Sequence, residues 1–284
     1  MKWRGRRTST NISDRRGGGR GVAVAGGGIG VVVVVLAGLI FGFDPRPLLD
    51  SGLVGGGPAP QQQSSGPNEI DDAAEEFVAV TLADTEEVWG SLFSQSGSSY
   101  AEPTLVLFTG AVRSACGTAS AAVGPFYCPG DEQIYIDLDF FDVMERQLGA
   151  TGDFAKAYVI AHEVAHHVQN LTGTLPQVNQ RRQQVSQVEA NRLTVRLELQ
   201  ADCYSGVWAH HADARFDSLE PGDIEEAMNA ASAIGDDALQ RRQQGYVVPD
   251  SFTHGTSEQR MRWFDQGYRT GSVGACDTFS TDRL

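Results

Sequence analysis

The segment Asp153-Phe-Ala-Lys-Ala-Tyr-Val-Ile-Ala-His-Glu-Val-Ala-His-His-Val-Gln-Asn-Leu171 carries both a strong helical pattern and the chemistry around which this 284-residue chain is organised. Asp153 is placed to cap the start, Gly173 to end the helix, and Pro176 to stop its continuation. Within it stand His162-Glu163-Val164-Ala165-His166. Histidines at i and i+4 project from one helix face, so both imidazoles can reach a single ion. Neutral imidazole is a good zinc ligand, at about 2.0–2.1 Å. Glu163 follows His162 directly, near such an ion without facing it, where a carboxylate can accept a proton from water. The neighbours Tyr158–Ala161 and Val164-Ala165 are apolar, unlike the setting of a solvated histidine pair.

A catalytic zinc site needs a third protein ligand and keeps one position open. The extended H-E-x-x-H-x-x-G-x-x-H form fails, because Gln169 and Thr172 occupy its Gly and His positions. Leu197-Glu198-Leu199-Gln200-Ala201-Asp202 supplies the candidate, with Glu198 32 residues beyond His166. Glu198 and Asp202 are again i and i+4. Glu198 is expected to bind the ion, and Asp202 to hold the second nitrogen of a ligand histidine and so set its tautomer. The alternative for Glu198 is a surface ion pair with Arg192 or Arg196. Of the other histidines, His167 points about 100° away from His166 and reads as structural, while His210 and His211 close a helical stretch.

Around this centre, Glu69–Phe93 has helical periodicity and Pro103–Phe108 reads as a strand. Gln133–Leu138 alternates polar and apolar residues, the pattern of a half-buried strand, and is the candidate edge strand for an extended peptide. Phe140–Leu148 is a short helix candidate. Gln177–His211 reads as one helix or two, Asp223–Gln243 as a helix interrupted near Gly235-Asp236-Asp237, and Ser257–Gly267 as a last short helix. The expected fold class is α+β, mostly helical, with a small sheet early in the domain.

Composition is that of a globular protein, with 41% hydrophobic and 20% charged residues and a net charge of −14. Residues 1–43 hold seven bases against one acid, whereas 15 bases face 35 acids from residue 44 onward. So acidic a domain repels phosphate, and nucleic acid is not an expected partner. From Gly21 to Phe43 the chain has 23 residues without a charge, long enough to cross a bilayer. The expected organisation is a basic cytoplasmic arm (1–20), one transmembrane signal-anchor (21–43), a flexible Gly/Pro/Gln/Ser linker (44–68) and an extracytoplasmic domain (69–284). The rival for 21–43 is a cleaved signal peptide. Outside the cytoplasm disulfides persist. Cys116 and Cys128 flank a Gly/Pro-containing turn and are the favoured pair, leaving Cys203 with Cys276; the alternative is four unpaired buried thiols.

The stretches Cys116–Gln169 (with Val123-Gly-Pro-Phe-Tyr-Cys-Pro129), Leu197–Trp208 and Val248–Phe264 resemble the neutral zinc metallopeptidases, a bacterial membrane-anchored family. The resemblance implies a zincin-like protease domain with His162, His166 and Glu198 as ligands of one Zn2+, and Glu163 as base. Related membrane proteases carry a His-Pro before an acidic-Arg helix, which by similarity gives His254 a place in stabilising the oxyanion; Gly255 stands here where those relatives have proline. The implied activity is a membrane-anchored endopeptidase acting on protein or peptide. The alternatives are an aminopeptidase or other zinc amide hydrolase, and a tethered non-catalytic domain with structural zinc.

Overall fold

The computed structural model describes residues 1–16, 70 and 72–284. Helix α1 (Ala73–Gln95) begins where the Asp72 carboxylate accepts the N–H groups of Ala74 and Glu75, with Glu75 and Glu76 in the first turn opposing the helix dipole. It buries Phe77, Val78, Leu82, Val88 and Trp89. A four-stranded sheet follows, ordered β1 (Ile12–Asp14), β2 (Thr104–Phe108), β6 (Gln133–Asp137) and β5 (Phe126–Cys128). β1 and β6 run parallel to β2, and β5 runs antiparallel to β6. The hairpin of β3 (Ala111–Ser114) and β4 (Gly117–Ser120) stands apart as a second sheet.

The remainder is helical. α2 (Asp139–Val143) runs on into a π-helical turn, Met144–Leu148. Then come α3 (Asp153–Leu171), α4 (Thr174–Arg182), α5 (Gln187–Phe216), α6 (Asp223–Ala233), α7 (Asp236–Gln244) and α8 (Ser257–Thr270). The mostly helical α+β expectation therefore holds. α3 is the central helix: Phe154, Tyr158, Ile160, Val164 and Val168 are almost fully buried between the sheet, α1 and α5. Its N-cap is Gly152 rather than Asp153, and the Phe154 N–H is taken by Glu226 at 3.0 Å. Gly152 has φ +105, and a Cβ there would fall 1.9 Å from the Glu226 carboxylate. α3 ends at Leu171, with Gly173 in the left-handed region at φ +82, and Pro176 sits in the first turn of α4, where its missing N–H has no partner to lose.

α5 and α8 cross with their backbones nearly touching. A Cβ on Gly206 would lie 2.1 Å from the Phe264 carbonyl oxygen, and one on Gly267 would lie 1.9 Å from that of Cys203. α8 begins in a capping box between Thr256 and Gln259. Both disulfides form as expected, Cys116–Cys128 and Cys203–Cys276. The second ties the chain beyond α8 to the middle of α5.

Two expectations are corrected. The expected single-pass transmembrane helix, with a cytoplasmic N-terminus and an extracytoplasmic domain, does not stand. No helix among the described residues is long and apolar enough to cross a membrane. Moreover, Ile12–Asp14 is hydrogen-bonded into the same sheet as Thr104–Phe108, so the basic arm and the domain lie on one side. The stretch 21–43 and the linker 44–68 themselves lie outside the described residues. The arm's positive charge has partners that a count of lysines and arginines does not see. Arg6 lies 2.6 Å from Asp84, Arg7 reaches Glu86 and Glu87, and Arg16 reaches Asp72 and Glu75, all on α1 or at its start.

β6 is also not an edge. It lies between β2 and β5, and Tyr135 and Asp137, on its nominally polar face, are 1% and 2% exposed. The second sheet face is covered as well: Tyr135 packs with Val106, Phe108, Val112 and Cys128. The Asp137 carboxylate is satisfied by the backbone N–H groups of Gly110 and Asp139. The edge beside the central helix is β5.

Candidate metal centre

α3 presents His162 and His166 on the side that faces α5, with ring centroids 4.8 Å apart. α5 brings Glu198 to them. His162 Nε2 lies 3.1 Å from Glu198 Oε2, and His166 Nε2 lies 3.5 Å from Glu198 Oε1. One donor atom from each of the three falls within 4.8 Å of the others. Ligand atoms about 2.0–2.1 Å from a tetrahedral zinc sit roughly 3.3 Å from one another. The observed spacings bracket that value, and the two-nitrogen, one-oxygen donor set is one that zinc accepts with a position left open, so these residues fit the ion. Neither arginine considered as an alternative partner for Glu198 engages it: Arg192 pairs with Glu189 and Asp250, and Arg196 hydrogen-bonds to the carbonyls of Thr278 and Thr281.

The other nitrogen of each imidazole is occupied. His162 Nδ1 lies 2.9 Å from Asp202 Oδ1, as the sequence suggested. His166 Nδ1 lies 2.8 Å from Gln169 Oε1, and Gln169 Nε2 in turn donates to the Leu197 carbonyl and to Gln200. Hydrogen bonds from Nδ1–H to these oxygens leave both Nε2 atoms as lone pairs aimed at one point. Gln169 was visible in the sequence only as the residue breaking the extended motif. Its spacing from His166, three residues along the same helix, was the signal for its role.

Asp202 lies at the bottom of a buried network that the sequence reading missed in part. Arg260 of α8 is 2% exposed and clasps Asp202 from both sides, Nε to Oδ2 at 2.8 Å and Nη2 to Oδ1 at 2.9 Å. Tyr158 donates its hydroxyl to Asp202 Oδ1 at 2.5 Å and lies 3.2 Å from Arg260 Nη2. Burial works to raise the Asp202 carboxyl, but Arg260 and His162 hold it down at about 2. Burial likewise works against Glu198, and the two imidazoles still keep it well below the carboxylate range. Burial lowers the affinity of His162 for a proton, yet Asp202 and Glu198 push it up to about 10. The carboxylates that draw a proton to these imidazoles would equally draw a divalent cation, which must displace that proton to bind. Glu163, 8% exposed, differs: burial raises its carboxyl, and His166 and His162 offset this only in part.

His254 sits in the loop before α8, a third exposed, with Nδ1 3.1 Å from Thr253 Oγ1 and 3.3 Å from Asp236 Oδ1. It is close enough to Glu198 to help keep that carboxyl ionised. His167 points away, as expected: fully buried, it meets the Tyr127 hydroxyl at 3.0 Å and the Ala101 carbonyl at 2.7 Å. His210 and His211 bond to the carbonyls of Tyr268 and Gly271.

An H-E-x-x-H helix completed by a carboxylate from a second helix is the donor arrangement of zinc-dependent hydrolases. The chain belongs to the family described as "Putative neutral zinc metallopeptidase", whose model matches residues 1–279. It is 50% identical over 291 residues to the uncharacterized protein YpfJ of Escherichia coli K12, covering 98% of this chain and 99% of that one. It is 44% identical over 217 residues to the uncharacterized proteins Mb2605 of Mycobacterium bovis and Rv2575 of Mycobacterium tuberculosis, covering 73% of this chain and 71% of each. No solved structure matches the chain.

Proposed function

We propose that the protein is a zinc endopeptidase holding one ion per chain through His162, His166 and Glu198. The observation that carries this reading is the convergence of those three donor atoms within 4.8 Å, with Glu163 on the same helix beside them. Zinc, when bound, supplies a Lewis acid that polarises a scissile carbonyl and makes water a better proton donor. Glu163 takes the attacking water's proton on a carboxylate oxygen and delivers it to the leaving amine. Its buried position, which raises the carboxyl, suits a group that must hold that proton between two events. His254 donates a hydrogen bond to the oxygen that becomes negative as the tetrahedral centre forms.

The substrate is an extended polypeptide that adds to the outer edge of β5 through main-chain hydrogen bonds. Two features support this placement. β5 ends the sheet on the side of the central helix, and Tyr127 in β5 is bound to His167, next to a candidate ligand, which sets the spacing between strand and centre. A structural zinc domain is disfavoured by the donor set, since closed structural sites use four protein ligands.

Replacing Glu163 by Gln tests the reading. The Glu163→Gln protein is expected to bind zinc as the unsubstituted chain does, with kcat on an unfolded protein substrate down about 10²–10⁴-fold. Cleavage at the original rate would remove Glu163 from the chemistry. Mass spectrometry of the product ends separates internal cutting from the stepwise trimming of an aminopeptidase.

A further inference from the structure

Asp236, the first residue of α7, is 8% exposed, and the loop Thr253–Gly255 is wrapped around its carboxylate. Oδ2 accepts the backbone N–H groups of Thr253, His254 and Gly255 at 2.7, 2.6 and 2.9 Å. The Asp236 N–H returns a bond to the Gly255 carbonyl at 2.9 Å. The second oxygen, Oδ1, is the one 3.3 Å from His254 Nδ1. One oxygen thus holds the loop's backbone and the other addresses its imidazole.

The far side of the same loop rests on α5. Gly255 has φ +92, and a Cβ there would lie 3.2 Å from Leu199 Cδ2 and 3.3 Å from Val195 Cγ1. Leu199 is the neighbour of Glu198, so the loop is gripped between Asp236 and the turn of α5 that carries the candidate third ligand. His254 is its middle residue. Proline, with its fixed φ near −65°, could not take the conformation of Gly255. The departure from the His-Pro pattern is therefore accommodated by a different device, the carboxylate of Asp236.

We propose that Asp236 is a positioning residue for His254. It sets the loop's distance from α5 and accepts the Nδ1–H, so that the charged imidazole presents its second N–H, on Nε2, to the substrate oxyanion. This rests on the reading of His254 as the oxyanion donor.

The test uses the full zinc-loaded chain with Asp236→Asn, His254→Ala and the double substitution. Asparagine keeps one oxygen for the three loop N–H groups but changes what faces Nδ1. Removing an oxyanion donor costs about 10²–10³-fold in kcat, and that loss is expected for His254→Ala. Asp236→Asn is expected to lower kcat about tenfold with KM within about twofold, and to add nothing in the His254→Ala background. An unchanged kcat in the single variant, or the same loss in both backgrounds, would overturn the proposal. A second readout needs neither turnover nor a variant: 15N spectra of the His254 imidazole in the unsubstituted protein. Protons on both Nδ1 and Nε2 are expected, the one on Nδ1 shielded from exchange, and the absence of either overturns the assignment. Should the unsubstituted protein cleave no peptide, the peptidase reading fails, while the imidazole spectrum still decides what Asp236 does.

Discussion

Arg260 is a charge taken wholly out of water, and such a group is tolerated only where its partners are fixed. Its partner is fixed on three sides: Asp202 receives Arg260, Tyr158 and His162 together. Outer partners of this kind typically contribute a factor of 10–100 to metal affinity. Arg260→Met is expected to weaken zinc binding by about that factor, as measured by competition with a chromophoric chelator. An unchanged affinity would show that Asp202 orients His162 without help. Asp84 offers a pH-dependent counterpart away from the centre. Burial raises its carboxyl to about 7 despite Arg6 at 2.6 Å, so the folded chain keeps a proton that the unfolded chain, titrating near 3.8, has released. That stabilisation is complete below the unfolded value and is lost as the pH rises through about 7. Relative to Asp84→Asn, the unsubstituted chain should lose stability between about pH 5 and about pH 7.5, read by urea unfolding. A constant difference would contradict it.

At the scale of elements, the crossing of α5 and α8 matters most. α5 carries Glu198 and Asp202, α8 carries Arg260, and the two meet through Gly206 and Gly267 with no side chain between them. Helix axes usually stand 8–10 Å apart, set by the residues at the contact, and glycine on both sides permits the closest approach. Gly267→Ala places a methyl group against the Cys203 carbonyl, an overpacking that costs about 1–3 kcal/mol. Because the displaced helix carries Arg260, zinc affinity should fall with stability in the same variant. Lost stability with full zinc affinity would uncouple the crossing from the centre. The elements themselves were largely legible: α3 lies where its apolar pattern placed it, although Gly152 rather than Asp153 stands at its N-cap. β6 was legible as a strand but not as an interior one, because alternation reports one dry face only when the other is wet, and here both faces are covered.

For the whole molecule, two long-range ties close the fold around α5. One is Cys203–Cys276, 73 residues apart, which anchors the chain after α8 to the residue beside Asp202. Replacing both cysteines by serine should cost about 2–4 kcal/mol in unfolding experiments without reductant; an unchanged midpoint would show that packing alone holds the C-terminal segment. The other is the N-terminal arm, which pairs with β2 and lays its arginines along the acidic α1. A basic arm ahead of a long apolar run satisfies the positive-inside pattern from composition alone. Its partners on α1 and β2 lie more than fifty residues further on, so no local count could distinguish a membrane-orienting arm from a strand of the domain.

By itself the sequence determined the chemistry that one helix can carry. His162, Glu163 and His166 have a relation set by 3.6 residues per turn, and Glu198 with Asp202 repeats it on a second helix. For the cysteines the sequence favoured one pair, Cys116–Cys128 across a short turn, and left Cys203 and Cys276 as the remainder. Only the tertiary structure decided which second-helix carboxylate meets the two imidazoles, that Arg260 holds Asp202, that Asp236 grips the His254 loop, and that the first strand of the sheet comes from the arm. Each of these joins residues far apart in the chain, and their meeting depends on helix crossings and strand order, which are properties of packing rather than of any local run of residues.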